Sequence, residues 1–128
     1  IRAVCLSRGL GDVYKRQVLE QAKKLSENLP IIVTGDFNAV PSDEPIQVLT
    51  NPSDPRHLTH SRTIAGFIYG PEWTFHDFGK IPYDKREWID YIFVKGNIKV
   101  LRHGVLTETL NNLFPSDHCP VISTLILE

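Results

Sequence analysis

Ile31-Ile32-Val33-Thr34 is apolar or β-branched at every position, and this run constrains the fold more than any other stretch of the chain. A strand with one face in water alternates apolar and polar residues. One that is apolar on both sides must be covered on both, which calls for a layered arrangement of sheet and helices. The run stops at Gly35, and Asp36 and Asn38 then arrive two positions apart with Phe37 between them. A buried strand thus delivers a carboxylate and a carboxamide to one place.

The neighbouring segments fit an α/β class. Val18, Leu19, Ala22, Leu25 and Leu29 recur at helical spacing, with Glu20, Lys23, Lys24 and Glu27 on the other side, so a helix is predicted over Gln17–Leu29 and ended by Pro30. A short second helix is predicted over Glu44–Leu49, with Pro45 in its first turn and Ser42 or Asp43 as cap. Asn51 to Pro71 is rich in Pro, Ser, Thr, Asp and Gly and reads as loop with a little local order. Glu87–Val94, "EWIDYIFV", reads as a strand with Trp88, Asp90, Ile92 and Val94 on one face and Ile89, Tyr91 and Phe93 on the other. Two further strands are predicted, over Ile98–Leu106 and Pro120–Leu127.

Bulk properties narrow the function classes. With 128 residues the chain supplies one modest domain. A net charge of -1 lacks the footprint of a dedicated duplex-DNA binder. No stretch approaches the roughly 18 consecutive apolar residues of a membrane span. Cys5 and Cys119 suggest no disulfide framework and are expected to be unpaired. The chain contains no methionine, and "IRAVCLSRGLGDVYKRQ" shows no period and resembles a translated adaptor sequence. Residues 1–16 are therefore expected to be a non-native leader, with 17–128 as the native domain. The compartment is not legible.

Three segments bring polar groups to a strand end or inner face: Asp36 and Asn38, Asp90 within "WIDYIFV", and Ser116-Asp117-His118 before "PVISTLIL". Each has a bland reading. Asx residues build turns, a core aspartate can be satisfied by backbone donors, and a lone histidine is commonly just packed. Burying all three without mutual partners would cost several kcal/mol each.

Several sharper readings fail. Counting Asp36 as the first residue of a calcium loop puts Val40, Pro41 and Gln47 at the fifth, sixth and twelfth positions, where an oxygen ligand, Gly and Glu are needed. Adjacent Ser116, Asp117 and His118 cannot form a serine-hydrolase triad, and no Gly-x-Ser-x-Gly elbow exists. His57 and His60 have no zinc-ligand partner at a sensible spacing and read as a solvated pair.

Together, "IIVTGDFNAVPS", "EWTF", "WIDYIFV" and "FPSDHCPV" resemble the C-terminal half of the endonuclease/exonuclease/phosphatase superfamily. The resemblance spans residues 18 to 128 and implies part of a deoxyribonuclease I-like two-layer α/β sandwich, with mixed sheets, outer helices and the N-terminal half missing. The implied chemistry is Mg²⁺-dependent (alternatively Mn²⁺-dependent) hydrolysis of a phosphate ester, foremost a phosphodiester as in a nuclease, by in-line attack of water. By resemblance Asp36 orients or deprotonates the water, and Asn38 hydrogen-bonds the phosphoryl group. His118 contacts a phosphate oxygen, and Asp90 holds its ring and favours its charged form. Asp117 sits near the metal, with Thr74 and Ser116 supporting.

The implied partner is a nucleic acid, a nucleotide or a lipid head group, and the intact protein is expected to be a monomer. The family's main metal Glu, an early Asn and a second catalytic His belong to the missing half, so the chain alone is expected to be weakly active or inactive, with an apolar sheet face uncovered. Trp88 stands where many members carry Arg or another polar residue, and Tyr91 after Asp90 differs from the Arg usual in inositol phosphatases. A catalytically silent binding domain and a plain α/β domain are the rival readings. Scatter of Asp36, Asn38, Asp90 and His118 over different faces would favour the plain domain, and metal-dependent turnover separates the enzyme from the silent binder.

Overall fold

The computed structural model describes the backbone of residues 2–6, 12–26 and 29–128, and the side chains of residues 16–24 and 29–128. The chain runs through strand Arg2–Leu6 (β1), helix Asp12–Ser26 (α1), strand Ile31–Asp36 (β2), helix Glu44–Thr50 (α2) and strand Thr59–His60 (β3). It continues through strands Phe67–Tyr69 (β4), Asp90–Lys95 (β5), Ile98–Val105 (β6) and Val121–Leu127 (β7). Two mixed sheets result, one of order β1-β2-β5-β3 and the other of order β4-β6-β7.

β1 and β2 are parallel, which requires a long crossover, and α1 supplies it. Val18, Leu19 and Ala22 of α1 are buried beside Ile31 and Val33 of β2, Ile46 and Leu49 of α2, and Tyr91 and Phe93 of β5. Phe37 meets Tyr91 and Phe93 edge-on, at centroid separations of 5.6 and 5.2 Å. Among the described residues no helix is long and apolar enough to cross a membrane.

Several sequence expectations shift. α1 starts at Asp12 rather than Gln17, because "DVYKR" contains no helix breaker even though the apolar period only becomes visible from Val18. The Leu25 side chain and Glu27 lie outside the described residues, and Leu29 is 47% exposed beyond the helix end. Asp43 does occupy the cap position of α2, but its carboxylate accepts from the Val40 N–H at 2.9 Å instead of capping the helix. β5 begins only at Asp90, since Glu87 is held in a separate bridge with Phe75.

His60 is not solvated. Its ring packs 5.1 Å from Tyr91 and 5.5 Å from both Trp88 and His103, and burial pushes its pKa down to about 3. Cys119 is buried and free, while the Cys5 side chain lies outside the described residues. On β7, Ile122 and Ile126 face solvent.

Candidate active site

The antiparallel register of β2 and β5 sets Val33 opposite Phe93, Gly35 opposite Tyr91, and Asp36 opposite Asp90. Two aspartates directly across a ladder repel, so the pair needs a cation or a shared proton nearby. His118 supplies one candidate. Its Nδ1 lies 2.7 Å from Asp90 Oδ2, and ligand atoms of Asp36, Asp90 and His118 all fall within 4.8 Å of one another.

Backbone pairing holds His118 in place. Phe75 is bridged both to Glu87 and to His118, and the Cys119 N–H donates to the Thr74 carbonyl at 2.7 Å. The 74–76 segment is therefore threaded between the approach to β5 and the loop before β7. Pro115 and Pro120 bracket that loop and limit its backbone freedom. Ser116 shapes it further: its Oγ accepts the His118 N–H and donates to Asp117 Oδ1, both at 3.2 Å.

Thr74 is fully buried, and its hydroxyl does three things at once. It donates to Asp90 Oδ2 at 2.6 Å and accepts the N–H groups of Ile89 and Asp90 at 3.1 and 3.2 Å. Asp90 is thereby aimed at the imidazole. A carboxylate only accepts, so the proton of the Asp90–His118 bond resides on Nδ1. Burial disfavours charge on His118, but the bond to Asp90 and the fields of Asp90, Asp36 and Asp117 outweigh it and raise its pKa.

Beyond β2 the chain turns at Asn38, which has a φ of 45°. Its N–H donates to Asp36 Oδ1 at 2.8 Å and its side-chain amide to Asp36 Oδ2 at 3.3 Å. The bland Asx-turn reading of Asp36 is thus present, in the same carboxylate that faces Asp90 and His118. The geometry brings together Asp36, Asn38, Asp90, His118 and Thr74. Asp117 is close enough to act on His118 but is not one of the three clustered ligands.

The sequence reading missed Phe75, whose ring lies 4.9 Å from that of His118. Its place beside Thr74 in "EWTF" was the available signal. The donor set suits a hard divalent cation in part. Asp36 and Asp90 offer oxygens, whereas His118 Nδ1 is engaged by Asp90.

Residues 4–118 match the model of the Endonuclease/Exonuclease/phosphatase family. The structure is similar to the endonuclease/exonuclease/phosphatase from Bacteroides vulgatus, with 28% identity and a TM-score of 0.83 over 98% of this chain and 48% of that one. It is also similar to a Bacteroides thetaiotaomicron mannosyl-6-phosphatase, with 28% identity and a TM-score of 0.80 over 96% of this chain and 50% of that one. The human Nocturnin catalytic domain shares the fold at 20% identity, with a TM-score of 0.58 over 94% of this chain and 46% of that one. The chain spans about half the length of these structures. No curated protein matches it.

Proposed function

The chain belongs to the Endonuclease/Exonuclease/phosphatase family, whose members are generally hydrolases of phosphoesters, and from its site we infer metal-dependent hydrolysis of a phosphate ester, foremost a phosphodiester, by in-line attack of water. The observation that carries this reading is the Asp36–Asp90 pair facing across β2 and β5 with His118 bound to one member.

In this mechanism Asp36 aligns the water and takes its proton, because its carboxylate stands at the strand end beside the imidazole. His118, with Nδ1–H fixed on Asp90, presents Nε2 as a cationic donor to a non-bridging phosphoryl oxygen. The raised pKa keeps that donor charged closer to neutrality. Asn38 adds an amide donor beside Asp36, and Thr74 and Ser116 position the two strands' contributions. Asp117 would stand near Mg²⁺ or Mn²⁺, which would neutralise charge building on the phosphoryl oxygens, with the clustered oxygens of Asp36 and Asp90 as the further donors this chain offers.

The similarity to a mannosyl-6-phosphatase favours a second reading, a sugar phosphomonoester as substrate. Hydrolysis of bis(4-nitrophenyl) phosphate and of 4-nitrophenyl phosphate, with Mg²⁺ or with EDTA, separates the two. It is measured on this chain and on this chain joined to the N-terminal half of the B. vulgatus relative. The diester is expected to be cut only with metal, and Asp36→Asn should lower the rate about 10²–10⁴-fold. EDTA-resistant turnover, or full activity in Asp36→Asn, would sink the mechanism. Phosphate binding without turnover would favour the silent binding domain.

A further inference from the structure

We propose that the cavity walled by Trp73, Tyr83, Arg86 and Phe114 is the subsite for the leaving group, and that it takes a ring carrying a second negative charge. This rests on the phosphoesterase reading above. The cavity measures about 360 Å³. Trp73 immediately precedes Thr74 and Phe75, and Phe114 opens the loop that carries Ser116 and His118. His76 links the two: its ring lies 5.7 Å from that of Trp73 and 4.2 Å from that of Phe114, and its backbone N–H donates to the Asp117 carbonyl at 3.1 Å, so one residue packs against both the cavity walls and the loop that carries His118.

Arg86 sets the chemistry. Its guanidinium lies 4.4 Å from the Trp73 ring centroid and 5.5 Å from that of Tyr83, and the two rings meet edge-on at 88°. Its Nε donates to the Ile81 carbonyl at 3.0 Å. Both terminal amino groups are left without a carboxylate among the described residues. The contrast with Arg62 is informative. That side chain also lies over an indole, 5.0 Å from Trp88, but it is paired with Glu72 at 3.3 Å.

A stacked, tethered and unpaired guanidinium is pre-organised for bidentate binding of phosphate or carboxylate. The aromatic walls offer a flat apolar platform for the ring that bears it. Thr107, at the rim, adds a hydroxyl. Arg86 also acts electrostatically on His76 and on Cys119, the residue after His118.

Calorimetric titration with adenosine 3′,5′-bisphosphate, fructose 1,6-bisphosphate and adenosine 5′-monophosphate tests the subsite. One bisphosphate should bind about tenfold or more tighter than the monophosphate, the worth of one charge-assisted contact. An advantage for the nucleoside compound alone assigns a base, and one for the sugar compound alone assigns a sugar. Arg86→Gln should erase the advantage, and Arg86→Lys, which keeps the charge but not the planar fork, should restore part of it. Equal affinities in the wild type, or an advantage that survives Arg86→Gln, overturn the subsite and leave the phosphoesterase reading standing. If His118→Asn leaves every affinity unchanged, that reading fails, and the leaving-group role fails with it.

Discussion

His118 at the strand ends and the pair His60 and His103 between the sheets are the same residue type driven in opposite directions. His118 keeps 27% of its side chain exposed and is held by Asp90, and its pKa is raised. His103 is fully buried, with Nδ1 beside the hydroxyls of Ser61 and Ser123 at 2.8 and 2.9 Å and its ring stacked on Trp88. Burial and the nearby Arg62 push its pKa down to about 4. His60 meets aromatic rings and His103, and is pushed to about 3 by burial, His103 and Arg62. Burial lowers all three. A carboxylate partner alone reverses the outcome, so the anion beside a histidine decides whether it can act as a cation in chemistry or must stay neutral in a core.

The most severe way to break this contrast is Asp90→Asn. It leaves His118 with burial and only the more distant fields of Asp36 and Asp117. Phosphoesterase turnover is expected to drop about 10²–10⁴-fold, and the imidazole to lose its proton at lower pH than in the wild type. Rate measurements and an NMR titration of the histidine ring check both. An unmoved titration would show that Asp90 does not hold the charge.

Acid should act next, through the neutral pair. The unfolded chain takes up protons near pH 6.5, while folded His60 and His103 refuse them down to about 3 and 4. Stability present above pH 6.5 is therefore lost as pH falls toward these values. His118 has the opposite sign, since its contribution is present below pH 6.5 and is lost as pH rises through its elevated folded value. Thermal melts followed by circular dichroism from pH 7 to pH 4 should show a steep fall that His60→Phe flattens. Identical slopes in the two proteins would contradict a buried neutral imidazole at position 60.

The smallest expected effect sharpens the picture of His103. Ser123→Ala removes one of two hydroxyls at Nδ1 and leaves Ser61 in place, so about 1 kcal/mol is expected in urea unfolding. A loss several times larger would mean that Ser123 organises the whole cluster.

Some of this was legible in the residues and some was not. The apolar runs of β2, β5 and β7 announced themselves because strand burial writes a local pattern. The start of α1 did not, because residues 1–16 as a whole read as a leader although Val13 and Tyr14 stand in its first turn. His60 hid in a Pro- and Ser-rich stretch, where a two-residue strand, β3, is too short to leave a period. The Arg86 cavity joins Trp73, Tyr83 and Phe114, residues with no shared motif. The convergence of Asp36, Asp90 and His118 was reached through family resemblance, since the spacing between three distant segments encodes no contact.

The amino-acid order by itself determined which side chains stand at strand ends: an aspartate after an apolar run, an aspartate inside another, and a histidine between two prolines. Only the tertiary structure decided that Asp36 faces Asp90 and that Asp90, through Thr74, faces His118. Side chains alternate along a strand, so a one-residue slip between β2 and β5 would send these carboxylates to opposite faces. That register is set by packing of the whole core, with Val33 on Phe93 and Phe37 on both aromatic rings, and not by any local stretch of chain.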